Sequence, residues 1–159
     1  MQQDRFGRDL ADEDIDSVPI FEDETGGVAP CNLTPHEIGV LGEKIARLYL
    51  EERGYRILHT NYRCPEGEAD LVAFDEDASA VVLVEVKTRR ASGASEGVFP
   101  EEAVGARKRH RYHRIAACYA RAHGPVREIR FDVIAITITS DTTASLEHLI
   151  GAFDWEADE

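Results

Sequence analysis

Residues 81–87 read Val-Val-Leu-Val-Glu-Val-Lys, and this run limits the fold more than any other part of the chain. Branched apolar side chains in close series favour a strand buried on both faces. Such a strand lies inside a sheet covered on both sides, so the same chain must supply the covering helices. Two helices are predicted. Thr34-Pro35-His36-Glu37 fits a capping box with proline at the first helical position. Ile38, Leu41, Ile45 and Leu48 follow as an apolar stripe, and Gly54 is placed to end the helix. Gly39, Gly42 and Ala46 make a neighbouring face small, which allows close approach to another element. The second helix is predicted from Pro100 to about His123, where Gly124-Pro125 stops it, with Ile115, Tyr119 and Ala122 as its apolar stripe.

Further strands are predicted at 56–61, 68–74 and 129–138, with an added edge strand at 146–153. Asp75-Glu76-Asp77 is a turn short enough to make 68–74 and 81–87 an antiparallel hairpin. The order of elements predicts an α/β fold, a central sheet flanked by helices. A length of 159 residues suits one domain, placed at 33–153. Residues 1–32 read as a disordered acidic arm, and 154–159 as an acidic tail.

Charges inside a buried strand are costly unless they are paired or bind a metal. Glu85 and Lys87 are such charges, and strand alternation puts them on one face. The same alternation puts Glu68 and Asp70 on one face of the preceding strand, while Val84 and Val86 point into the core. With these ends adjacent, three carboxylates and an ammonium converge. A solvated sheet face and a purely structural Glu–Lys pair are the plain alternatives. Hard divalent cations such as Mg²⁺ or Mn²⁺ take carboxylate, carbonyl and water oxygens. Asp70, Glu85 and the Val86 carbonyl would supply that set. A metal there would polarise a phosphate and acidify a bound water, with Lys87 beside that water.

The net charge of −13 does not exclude a nucleic-acid partner, because the acids are gathered at the ends. Residues 1–32 carry −7 and 152–159 carry −4, whereas 87–121 carry nine bases against three acids. Lys108, Arg111 and Arg114 fall near one face of the second helix, and Arg89 and Arg90 follow Lys87 closely. These five are the predicted phosphate contacts, against the reading of a solvated helix face. His110 and His113 have metal-ligand spacing but no evident third ligand. Cys31, Cys64 and Cys118 are widely spaced and odd in number, which argues against a disulfide framework or a cysteine zinc site. The sequence has neither a secretory signal nor a run of roughly 20 apolar residues, so a cytoplasmic protein without a membrane segment is expected.

Gly67-Glu68-Ala69-Asp70-Leu71-Val72 followed by Val84-Glu85-Val86-Lys87-Thr88-Arg89 resembles the PD-(D/E)xK nuclease signature. More closely, the chain resembles the YraN-like bacterial family, related to Holliday-junction resolvases. Gly42-Glu43, Ala46, Tyr49-Leu50, Gly54-Tyr55, Asn61-Tyr62-Arg63, Lys108, Ala116-Ala117, Tyr119 and Arg130-Phe131-Asp132-Val133 carry the likeness across about 36–153. The resemblance implies a restriction-endonuclease-like αβββαβ core. It implies Asp70 and Glu85 as metal ligands, Lys87 as the catalytic lysine, Glu43 as an acidic residue reaching toward the metal, and Glu68 as an alternate ligand. Ala69 stands where the family has a bulkier aliphatic, and the acidic arm lies outside the family pattern. The expected activity is Mg²⁺-dependent hydrolysis of phosphodiesters in structured or branched DNA. The alternatives are a non-catalytic nucleic-acid-binding module on the same fold, and an interaction protein acting through its acidic ends. A two-fold dimer is expected by analogy with resolvases of that fold.

Overall fold

Thr34 starts the first helix as the sequence predicts. Its hydroxyl accepts from the Glu37 amide and the Glu37 carboxylate accepts from the Thr34 amide, closing the capping box ahead of α1, Pro35–Glu52. The computed structural model describes residues 16–91 and 105–152. After α1, Gly54 turns the chain at φ 85 into β2, Tyr55–Cys64, then β3, Gly67–Asp75, and β4, Ala80–Arg90. The second helix, α2, spans Ala106–His123 and leads to β5, Ile129–Ile138. A last strand runs Thr143–Leu149, and a short first strand, β1, spans Asp16–Pro19; the last strand is therefore β6.

Among the described residues, six strands form one sheet in the order β1-β6-β5-β4-β3-β2. β4 and β5 are parallel, joined by the α2 crossover, and every other neighbouring pair is antiparallel. β4 is central as its composition requires. Val82 and Val84 pack in a cluster with α1 residues Leu41, Ile45 and Leu50, while Val81 and Leu83 pack in a second cluster with α2 residues Tyr112, Ile115 and Tyr119. The two faces of one strand thus anchor two helix layers. No helix among the described residues is long and apolar enough to cross a membrane.

The structure corrects several expectations. Acidity at 1–32 does not leave that whole segment disordered. β1 pairs with β6 from Asp16↔Leu146 to Pro19↔Thr143, Ile20 is 8% exposed in the α1-side cluster, and Asp16 meets Arg53 at 2.5 Å. A four-residue strand with alternating burial is too short to stand out among nine acids, and Pro19 is tolerated because β1 is an edge. Residues 1–15 and the tail 154–159 lie outside the described residues. The predicted edge strand at 146–153 ends at Leu149 and is covered by β1. Leu48 is 39% exposed and Leu50 fully buried, because the stripe drifts through Ala46 to Leu50 at 3.6 residues per turn. Ala122 is exposed, and Tyr112 takes its place in the α2 core. Gly105 is extended at φ −73, ψ 169 and caps α2 at Ala106; the predicted start at Pro100 falls outside the described residues.

Gly42 does need to be small. A Cβ there would lie 1.7 Å from Thr88 Oγ1 and 2.7 Å from Thr88 Cβ on β4. Gly42→Ala should lower stability by about 2 kcal/mol, the usual scale for overpacking, in urea denaturation. Adding Thr88→Ala should recover much of that loss. A Gly42→Ala protein as stable as the wild type would refute the close α1–β4 approach.

Candidate active site

β3 and β4 are paired from Asp75↔Ala80 up to Leu71↔Val84. One residue further the ladder gives way to a side chain. The Val86 amide donates to Asp70 Oδ2 at 2.8 Å, so a carboxylate takes the place of a strand carbonyl. Side-chain alternation also breaks at this point. Ala69 packs in the α2-side cluster, yet Leu71 packs on the α1 side. Across β2, the pairs Thr60↔Leu71 and Tyr62↔Ala69 bracket Asn61, whose φ is +49. Asn61 therefore stands opposite Asp70 where the strands depart from regular geometry, and a left-handed asparagine is one of the few non-glycine residues that accept such a kink.

Five predicted residues meet here, Glu43, Asp70, Glu85, Lys87 and Lys108. Glu85 is held from three sides: Lys87 Nζ lies 3.1 Å from Oε1, Lys108 Nζ contacts the same oxygen more closely, and the Tyr112 hydroxyl donates to Oε2. Burial works against the Glu85 charge, but Lys108 and Tyr112 outweigh it and hold the carboxyl below its usual range. Asp70 behaves oppositely. Burial, then the negative charge of Glu85, pushes it up to about 7 despite the Val86 amide. Glu43 on α1 is also raised, by burial and by the charges of Glu68 and Glu85, while the Asn61 side chain hydrogen-bonds it and opposes the rise. Burial lowers Lys108, and the like charge of Lys87 adds to the effect. Lys87 is raised although burial opposes it, because Lys108, Glu85 and Asp70 outweigh that cost.

Glu68 does not join Asp70 on one face, since alternation fails between them. It is half exposed and pairs with Arg63 at 3.4 Å, reaching the cluster only through its charge. Lys108 belongs to the carboxylate site rather than to an outer phosphate track, because positions 108 and 112 share a helix face and Tyr112 is buried. Arg90 ties down the turn at Pro30–Asn32: it donates to the Pro30 carbonyl at 2.8 Å and to the Leu33 carbonyl. Arg89 bonds Thr137 at 3.3 Å, Arg114 pairs with Glu66 at 3.3 Å, and Arg111 lies along Gly67. The last three remain at the surface. Sequence reasoning missed Tyr112 and Asn61. The spacing of four from Lys108 to Tyr112 was the available signal for the first; nothing local marks the kink at Asn61.

Among the described residues no group of three or more His, Cys, Asp or Glu side chains is arranged to hold a metal ion. The physical reason is that both Glu85 oxygens are already engaged and Glu68 turns to Arg63. The donor chemistry nonetheless fits a hard divalent cation. Asp70, Glu85 and Glu43 are all carboxylates, and two of them are raised in part by mutual repulsion that a cation would relieve. A cavity of about 500 Å³ between α2 and β5, lined by Ala116, Ala120, Val126 and Arg130, includes none of these residues.

A mixed sheet with a parallel β4–α2–β5 crossover, an antiparallel β2–β3–β4 meander and one helix on each face is a restriction-endonuclease-like α/β core. Its acidic–lysine cluster sits where β3 and β4 part. The chain belongs to the Uncharacterised protein family UPF0102, whose family model matches residues 42–136. It is 44% identical to a UPF0102 protein of Renibacterium salmoninarum over 119 residues, covering 74% of this chain and 97% of the relative. A UPF0102 protein of Geobacter sulfurreducens is 43% identical over 118 residues, with 74% and 88% covered. One from Moorella thermoacetica is 42% identical, with 76% and 98% covered.

Proposed function

We propose that the protein is a cytoplasmic, divalent-metal-dependent endonuclease that hydrolyses phosphodiesters in structured or branched DNA. The observation that carries this reading is the convergence of Asp70, Glu85 and Lys87 where β3 and β4 part, with Asp70 raised to about 7. Asp70 and Glu85 would hold Mg²⁺ or Mn²⁺, with Glu43 completing the oxygen set from α1 and Glu68 at the rim as an alternate. When bound, the metal would supply a Lewis acid for a phosphate oxygen. The chain does the rest. Lys87, half exposed and fully charged, is placed to offset the negative charge that grows on the phosphorus oxygens. Tyr112 and Lys108 fix the Glu85 carboxylate, so that it meets its ligand in one orientation. Arg89, Arg111 and Arg114 offer surface charge for the backbone. Symmetric cutting of two strands would need two copies.

The engagement of Glu85 by two lysines and a tyrosine favours a second reading, a nucleic-acid-binding module whose site is closed to metal. Purified protein incubated with labelled duplex, fork and four-way DNA, in Mg²⁺, Mn²⁺ or EDTA, separates the two. The nuclease reading expects cleavage of a branched substrate that EDTA stops and that Lys87→Ala slows by about 10³-fold. Binding to every substrate without cleavage in either metal would leave the binding module. A fully active Lys87→Ala protein would remove the lysine from the chemistry.

A further inference from the structure

Away from the carboxylates, the fold brings together two cysteines that the sequence keeps far apart. Cys64 ends β2 and Cys118 lies in the second half of α2. The approach of these two elements is fixed on both sides of the pair. Tyr62, two residues before Cys64, meets Tyr119, the neighbour of Cys118, edge to face with ring centroids 5.3 Å apart. Beyond Cys64, the hairpin turn lies against α2. Gly67 pairs with Cys64, and a Cβ on Gly67 would stand 3.0 Å from Arg111 Cδ and 3.2 Å from Ile115 Cδ1. Glu66 in the same turn pairs with Arg114 at 3.3 Å. Cys118 follows Arg114 by four residues and Ile115 by three, so it faces that turn. Cys64 packs against the cluster that contains Ile115 and Tyr119. The Cys64 thiol lies near enough to push the Cys118 thiol above its usual value, and both residues are partly open to solvent. Cys31 is exposed elsewhere, its sulfur 3.7 Å from Asp141 Oδ2.

We propose that Cys64 and Cys118 form a reversible thiol-modification site, closing to an intramolecular disulfide that ties β2 to α2 on reaction with an oxidised low-molecular-weight disulfide. One protein thiolate attacks the S–S bond of the oxidant, forming a mixed disulfide and releasing one small thiol. The second protein thiolate attacks the protein sulfur of that mixed disulfide and expels the other small thiol. The S–S bond of the oxidant breaks and one protein S–S bond forms. The two protons leave the protein thiols and end on the two small thiols, and the oxidant gains the two electrons. The link joins the hairpin that leads into Asp70 to the helix that carries Lys108 and Tyr112. It stands independently of the nuclease reading.

The test oxidises the native full-length protein with oxidised glutathione, quenches in acid, counts free thiols and maps peptides without reduction. Thiols should fall from the three of the reduced chain to one, with Cys31 still free. A single peptide linking Cys64 to Cys118 should appear, lighter by two hydrogens, and dithiothreitol should restore all three thiols. Cys64→Ser and Cys118→Ser should each abolish the linked peptide. Oxidation in urea should spread pairing onto Cys31, showing that the fold selects the pair. Retention of three thiols in the native wild type, stable glutathione adducts without a link, or a native link that includes Cys31 would each overturn the proposal, whether or not the serine variants fold.

Discussion

Asp132→Asn should destabilise the protein by about 3–5 kcal/mol, the cost of breaking a buried ion pair from one side. Asp132 is 1% exposed. It accepts from Arg130 Nε at 2.9 Å and Nη2 at 3.0 Å, from the Gly151 amide at 3.0 Å, and meets His148 Nε2 at 2.7 Å. Arg130 also reaches Asp75 at 2.8 Å and the Tyr55 hydroxyl at 2.9 Å, and the other ring nitrogen of His148 meets the Tyr49 hydroxyl at 3.3 Å. Asparagine keeps the shape but leaves Arg130 with half its compensating charge. Burial pushes the Asp132 carboxyl up, but His148 and Arg130 outweigh it and hold it below its usual range. A carboxyl depressed in the folded state adds stability above the unfolded value of 3.8, and that stability is lost as pH falls through the lower folded value. Urea denaturation should therefore separate wild type from variant widely at pH 7 and narrowly below pH 3. A loss under 1 kcal/mol at pH 7 would refute the network. Because Arg130 is shared, Asp132→Asn with Arg130→Met should cost less than the sum of the two single changes.

This network reaches the Asp75↔Ala80 end of the β3–β4 hairpin through Asp75, while Asp132 stands beside Val84 on β5; the carboxylate site lies beyond Leu71↔Val84, the last pair of the hairpin. One sheet thus carries a hydrogen-bonded polar cluster on β5 and β6 that reaches Asp75, and an electrostatically strained one where β3 and β4 part. Such division is expected of a scaffold that must hold repelling charges in place.

The legible part of this fold followed from local physics. The capping box, the apolar run of β4 and the Asp75 turn each act over a few residues, and each element formed where its pattern predicted. What escaped the sequence depends on partners distant along the chain. β1 is a strand only because β6 offers it an edge, and its four residues carry too little pattern to be seen alone. Tyr112 reads as part of a basic run until Glu85 stands opposite it. The site shows the same boundary. Asp70, Glu85 and Lys87 were readable because charges in and beside a buried strand need a reason. The separate fates of Glu68 and Asp70 were not, because the rule of alternation holds only in a regular strand and the Asn61 kink breaks it.

Asp70→Asn should make the metal-free protein more stable above pH 7, by roughly 2 kcal/mol after discounting for partial exposure. The folded carboxyl sits at about 7, against 3.8 in the unfolded chain, because of burial and the charge of Glu85. A raised value means that stability is complete below pH 3.8. It is lost as pH rises through the interval, while the unfolded chain ionises and the folded one does not, and the loss levels off above about 7. Asparagine can still accept the Val86 amide proton through its oxygen, and it places an amide rather than a charge toward Glu85. Denaturation curves should therefore coincide near pH 4 and diverge toward pH 8, with the variant the more stable. Millimolar Mn²⁺ should raise the wild type at pH 8 and leave the variant unchanged, since a ligand stabilises only the state that binds it. A variant less stable than wild type at pH 8 would show that Asp70 is held by favourable contacts and not against repulsion. A normal pH response without any effect of Mn²⁺ would keep the electrostatic account of the site and remove the metal from it.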